Sequence, residues 1–244
     1  MVPLTVALGA FARVFAALWT LPLLSRRELP QLWRIGFAAL LAGILAVQQG
    51  DAAQGAAPNL VATLLSETAV GLYMGLSGAL VFYAIELAGG LIDYQAGLGL
   101  AVSIAPDEAA PGAPFRLFFV AVGTLTFLST GGLQEMVAAL LGSFAVVGVG
   151  QGTLGSGAVA ALVQDGTKLF LVGLTMALPF SVVLLLCDIG FGIIGRVVPQ
   201  INLLSDNIPV KTMLAALLLA ITLPAFGRLL APWMQAVTQA IQHL

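Results

Sequence analysis

Apolar residues fill helix-length stretches along almost the whole chain, and polar residues mark the gaps between them. A bilayer crossing needs about 20 apolar residues, fewer or more with tilt. On that ruler residues 4–24 predict a first helix, and residues 33–47 a second, short enough to be tilted or shielded by protein. Residues 60–87 predict a long third helix that carries Glu67 and Glu86. The apolar region 115–149 is too long for one straight span. Ser129-Thr130-Gly131-Gly132 breaks it, predicting a kinked helix or a tight hairpin. Residues 168–194 and 210–230 predict two more, with a Gly/Ser-rich loop at 148–157 before them. The pattern is all helical, with about six long hydrophobic segments and no fixed repeat.

One stretch breaks this rhythm. Residues 89–114 read GGLIDYQAGLGLAVSIAPDEAAPGAP, rich in glycine and proline, with apolar segments on both sides. Lipid cannot satisfy irregular backbone, so this stretch is expected to lie against protein or a water-filled cavity.

Composition sharpens the class. Of 244 residues 60% are hydrophobic and 8% charged, with a mean hydropathy of +1.06; a soluble domain carries roughly 25% charged residues. The solvent for most of this surface is therefore lipid or other subunits, and the chain is an integral membrane protein. Nothing basic precedes the first apolar run and Arg13 interrupts it, so that run is expected to stay as a membrane helix rather than be removed as a signal peptide. Arg26, Arg27 and Arg34 fall in the first loop, Arg116 borders the third, and Arg196 and Lys211 border the fifth. Asp51 and Asp165 fall in the second and fourth, with Lys168 at the edge. This basic excess predicts odd loops in the cytoplasm and both termini outside. Gly71-x-x-x-Gly75, with Gly78 following, is a close-packing pattern that does not say which helix it meets.

Several chemistries lack material. The net charge is −2 and no basic run exists to track phosphates, so nucleic acid is excluded as a partner. One cysteine, Cys187, and one histidine, His243, exclude a metal cluster and Cys-His or Ser-His catalysis. Two G-x-G-x-x-G matches, at Gly150/Gly152/Gly155 and Gly190/Gly192/Gly195, lie in a low-complexity loop and in an apolar segment. Neither follows a strand, so neither predicts a dinucleotide site. No cofactor, metal site or enzymatic activity is expected.

The chemistry that remains is a set of ionisable residues in apolar sequence: Arg13, Glu67, Glu86, Asp93, Glu135, Asp188 and Arg196. A charge at membrane depth costs about 3 kcal/mol on insertion scales, so each should face protein or water. They read either as a proton or solute path or as structural and intersubunit charges, the set Arg13, Glu67, Glu86, Asp93, Asp188, Arg196 and Lys211, with the second favoured. Glu67 and Glu86 stand roughly 28 Å apart on one continuous helix at 1.5 Å per residue, so they cannot pair within it.

Three stretches together resemble one family. They are Arg13-Val14-Phe15 with Thr20-x-Pro22 and Ser25-x-Arg27-x-x-Pro30; Glu86-x-x-Gly89-x-x-Ile92-Asp93-x-Gln95-x-Gly97; and Gly192-x-x-x-Arg196-x-x-Pro199-Gln200-x-Asn202 with Ile208-Pro209-x-Lys211. In order, spacing and total length the chain resembles the FliR/SctT family, the export-apparatus core subunit of type III secretion in flagella and injectisomes. The resemblance implies a FliP-like part over residues 1–155, including a central loop at 89–114, and a FliQ-like hairpin part over 156–244, forming one structural unit. It implies a bacterial inner-membrane protein at the base of a flagellum or injectisome. Its partners would be FliP/SctR-like, FliQ/SctS-like, FlhB/SctU-like and FlhA/SctV-like proteins, with unfolded protein substrates in transit. It also places a pore plug at Gly97, Gly99, Leu100, Val102, Ser103 and Ile104, where aliphatic side chains would exclude water and glycines would let the backbone move. The chain departs from the family in having Ala105-Pro106-Asp107 where Asp-Pro is common, Gly195 where an Asn often precedes the signature Arg, and no aromatic residue in the plug. The rival expectations are a small-solute secondary transporter, which predicts a midplane site and often an internal repeat, and a passive membrane scaffold.

Overall fold

The computed structural model describes residues 4–21, 30–48, 59–98, 113–151, 157–197 and 203–242. Among these it forms seven α-helices and no strand: α1 (Leu4–Thr20), α2 (Gln31–Gln48), α3 (Leu60–Gln95), α4 (Pro114–Ser129), α5 (Gly132–Val146), α6 (Ala158–Val197) and α7 (Leu203–Gln242). Among the described residues each expected apolar segment forms helix, and region 115–149 is two helices. They part at Gly131, whose left-handed backbone (φ 79°) leads into α5; glycine takes that conformation without a Cβ penalty. By length and composition α3, α6 and the Asp206–Ala225 part of α7 can each cross a membrane, and the bent pair α4–α5 adds a fourth if it acts as one span. The first two apolar segments, expected to complete six crossings, are the shorter helices α1 and α2.

Contacts divide the chain into two units. The first comprises Met1–Val81, Phe127–Thr167 and Trp233–Leu244, the second Phe82–Thr126 and Lys168–Pro232.

The first unit is built on α1. Its Val6, Ala10, Val14, Ala17 and Leu18 recur at helical spacing and enter one core with residues of α2, α3 and α5. The small residues of α3 let it approach α1 closely. A Cβ on Gly71 would strike the backbone carbonyl of Arg13, and one on Gly75 would strike Thr20 and the Ala17 carbonyl. Further along, a Cβ on Gly78 would come within 3.2 Å of Leu21, while at the other end Gly9 faces Thr63 and Glu67. Residue numbers rise together on both helices, so α1 and α3 run parallel. The Gly-x-x-x-Gly pattern is therefore spent on a contact within this chain.

In the second unit the end of α3 packs antiparallel on α4. Ile85 meets Gly123, and Gly89 meets the Arg116 backbone. Helix α6 buries Leu169, Gly173, Met176, Ala177, Phe180 and Leu184, a stripe spaced by threes and fours. Gly173 sits against the Ala84 carbonyl, and Phe180 meets Phe119 edge to face at 6.0 Å. The opposite face of α6 exposes Leu174, Leu178, Leu185, Leu186, Ile189 and Ile193. So much exposed apolar surface requires lipid or protein as its neighbour.

Candidate functional site: three polar centres in an apolar chain

The first centre forms around Arg13, fully buried on α1. Its Nε donates to Glu67 Oε2 at 2.5 Å and its Nη2 donates to Glu67 Oε1 at 3.0 Å. This is the two-pronged geometry that suits guanidinium and carboxylate. Its Nη1 donates to the Ser143 hydroxyl at 3.2 Å and to the carbonyls of Ser143 and Val147 at 3.3 and 3.1 Å. Those carbonyls end α5, where a cation also complements the helix dipole. The Phe144 ring lies 4.2 Å from the guanidinium carbon, and Glu67 accepts a further N–H from Gly150 at 2.9 Å. One buried charge pair thus joins α1, α3 and the end of α5, with both side chains wholly enclosed. The arrangement holds helices together.

The second centre is Asp93, in the last turn of α3. Here α3 ends in a Schellman turn. The Gly97 N–H donates to the Tyr94 carbonyl at 3.1 Å, the Leu98 N–H donates to the Asp93 carbonyl at 3.0 Å, and Gly97 takes the left-handed conformation (φ 85°) that such a turn requires. The Asp93 carboxylate meanwhile accepts the N–H groups of Phe115 and Arg116, at 3.1 and 2.8 Å. These are the orphan amides of the first turn of α4. Ala113, the residue before Pro114, has no side-chain acceptor, so Asp93 caps α4 from another helix. A single residue ends α3 with its carbonyl and starts α4 with its carboxylate.

This arrangement corrects the sequence reading at one point. The irregular stretch expected from Gly89 is helical through Gln95. Gly89 and Gly90 did not break the helix because Gly89 is where the α4 backbone presses on it, a contact any side chain would block. Of the proposed plug residues, Gly97 lies in the turn, with Ile208 of α7 packed over it. Gly99, Leu100, Val102, Ser103 and Ile104 lie outside the described residues.

The third centre pairs α6 with α7. Lys211 Nζ donates to both oxygens of Asp188, at 2.8 and 2.9 Å, and Asn207 Nδ2 donates to Oδ1 at 2.9 Å. Unlike the first pair, this one is open: the Asp188 side chain is 43% exposed. Glu86 is half-buried on α3 and Arg196 is exposed in the last turn of α6. Glu135 is exposed in the first turn of α5. Gly190 and Gly192, part of a dinucleotide-like pattern, are helical residues of α6. Among the described residues no group of His, Cys, Asp and Glu could hold a metal ion.

Residues 4–237 match the sequence pattern of the bacterial export proteins, family 1. The chain belongs to that family. Similar proteins include Flagellar biosynthetic protein FliR of Escherichia coli (strain K12), 26% identical over 244 residues, covering 95% of this chain and 88% of the relative. Flagellar biosynthetic protein FliR of Bacillus subtilis (strain 168) is 27% identical over 215 residues, covering 86% and 83%. Surface presentation of antigens protein SpaR of Shigella sonnei is 25% identical over 214 residues, covering 87% and 83%. The FliR/SctT family therefore contains this chain, as its three motifs suggested, and the chain is a helical membrane component of a type III export apparatus. All three polar centres fall inside the matched residues.

Sequence reasoning singled out Arg13, Glu67, Asp93, Asp188 and Lys211 one by one. It did not pair them. The missing signal was spacing in space rather than in sequence: Arg13 and Glu67 are 54 positions apart. It also missed Ser143 and Phe144, whose types are unremarkable until the helices meet, and it weighed Gly150 only as part of a dinucleotide-like pattern.

Proposed function

We propose that this FliR/SctT-family chain is a core subunit of the type III export gate, forming part of the conduit through which unfolded secreted proteins leave the cell. It sits in the bacterial inner membrane and assembles with FliP/SctR-like and FliQ/SctS-like subunits, next to FlhB/SctU-like and FlhA/SctV-like components. Its N-terminal part, residues 1–155, plays the FliP-like role and residues 156–244 the FliQ-like role. The segment from Gly97 to Ile104 helps close the pore.

The observation that carries this reading is the family match over residues 4–237. Two features of the chain support its finer parts. Exposed apolar faces on α6 and α7 suit a subunit that packs among others. Asp93 gathers both borders of the central segment, Leu98 on one side and Phe115 and Arg116 on the other. Both borders are thus held by hydrogen bonds to one residue of α3.

The test is deletion of residues 99–104 in cells that carry the rest of the apparatus, reading ion leakage and secretion together. Leakage should rise while the partner subunits still co-purify. Unchanged permeability with normal export would remove the closing role, and failure to co-purify with FliP- and FliQ-like proteins would remove the gate assignment.

A further inference from the structure

Between Gln95 and α6 the second unit holds a recess of about 210 Å³, lined by Gln95, Ser181, Val182, Leu185 and Asp188. It combines features that the Asp188–Lys211 pair alone does not explain. Among the described residues Gln95 Oε1 is buried with no hydrogen-bond partner; so is Oδ1 of Asn207, which does not line the recess but holds Asp188 through its amide nitrogen. Asp188 accepts three hydrogen bonds and remains 43% exposed. The two buried unfilled atoms are acceptors, while the Ser181 hydroxyl and the Gln95 amide nitrogen in the recess can donate. A buried acceptor without a donor is destabilising, and apolar surroundings make it more so.

The neighbouring surface narrows what can supply donors. Val182, Leu185 and Ile189 flank Asp188 on α6 and are 55%, 60% and 52% exposed, an apolar stripe at helical spacing. Acyl chains fit that stripe but bring no donor. A basic side chain or a lipid ammonium brings donors but adds a second cation where Lys211 already balances Asp188. The missing partner is therefore polar and uncharged. A carboxamide or hydroxyl fits, able to donate to Gln95 Oε1 and to accept from Ser181, and an apolar helix carries one here while covering the stripe.

We propose that the recess beside Gln95 and Asp188 is a docking point for an apolar helix of another subunit, which inserts an uncharged donor (the amide of an Asn or Gln, or the hydroxyl of a Ser or Thr) against these acceptors. This rests on the gate reading above, since it requires a heterologous membrane partner. Gln95 belongs to one of the three family-like motifs, and its work in them would be recognition of that helix.

The full chain, expressed with its export apparatus in native membranes, carries a photoreactive amino acid in place of Ile189, with a second version at Met213 on α7 for comparison. After illumination, mass spectrometry locates the attached peptide. The expected adduct from Ile189 lies in an apolar helix of a different polypeptide, with an Asn, Gln, Ser or Thr within one turn of the attachment point. In Gln95→Leu its yield should fall roughly fivefold, the scale of one lost hydrogen bond, while the thermal transition of the purified chain does not drop. A lipid adduct, an adduct to a second copy of this chain, a Lys or Arg as the nearest polar residue, or a yield indifferent to Gln95→Leu would overturn the proposal. If FliP- and FliQ-like subunits co-purify and Ile189 attaches to none of them, the docking point is wrong and the gate reading stands. If no such subunit co-purifies, both fall.

Discussion

Arg13–Glu67 and Asp188–Lys211 are both ion pairs between helices of an apolar chain, and they differ in closure. In the first, both side chains are wholly buried and the partners include a ring, two carbonyls, a hydroxyl and a backbone amide. In the second, Lys211 is nearly covered, Asp188 is half open, and acceptors nearby are unfilled. Presence of an ion pair therefore says little about its role. Saturation separates them: in the first centre every polar side-chain atom of Arg13, Glu67 and Ser143 is bonded within the chain, whereas the second leaves buried acceptors that, on the proposal above, another chain completes.

The comparison breaks most easily at Arg13. Removing one partner of a buried pair leaves the other charged and uncompensated, at a cost of about 3–5 kcal/mol. Arg13→Ala should therefore abolish recoverable folded protein, read as the monodisperse fraction after mild detergent extraction, and Glu67→Ala should do the same. If either variant is as well recovered as a Lys211 variant, saturation is the wrong criterion.

The next effect tests the helix contact that places Arg13. Gly75→Val would drive a branched side chain into Thr20 and the Ala17 carbonyl, and overpacking of this kind costs about 1–3 kcal/mol. Thermal unfolding in detergent should show a clear drop, while Gly43→Val on α2, with open space around it, should show almost none. Equal drops would mean that helix propensity rather than the α1–α3 contact sets the cost.

How far the sequence foretold these centres depends on the range over which each is made. Helices were legible because lipid imposes a long apolar run on each, and even the break at Gly131 showed as Ser-Thr-Gly-Gly. The close-packing glycines were legible as a pattern, but their partner was not, since Gly71 looks the same whether it meets α1 or another protein. Gly89 misled for a related reason. Its small size serves the approach of Arg116 rather than a turn, and composition cannot separate the two uses. Asp93 read as an embedded charge, and only the fold shows that the side chain it replaces is the one Ala113 lacks.

Asp93 gives the third effect. Losing an N-cap acceptor costs about 0.5–2 kcal/mol. Asp93→Ala should lower the unfolding temperature modestly, and Asp93→Asn, which keeps one acceptor oxygen, should lower it less. Hydrogen exchange locates the change: the amides of Phe115 and Arg116 should lose protection while those around Arg13 keep theirs. Loss of protection in both places would show that the two units do not respond separately to this cap.

Lys211→Met should have the smallest effect on the isolated chain, and here the comparison is at its sharpest. The pair is partly open to its surroundings, and such pairs contribute about 0–1 kcal/mol once solvent screening and side-chain ordering are counted. Methionine keeps the length and apolar stem of lysine, so packing of α7 on α6 is preserved. The unfolding temperature of the purified chain should therefore barely move. Assembly should suffer more, because a partner helix that covers the recess would then enclose Asp188 without its cation, turning an exposed carboxylate into a buried unpaired one. The measurement is co-purification of the other gate subunits at matched expression. Near-normal stability with weakened recovery of partners would identify Asp188–Lys211 as a pair whose environment is finished by assembly. Equal loss of both would make it a second Arg13–Glu67, closed by the chain itself.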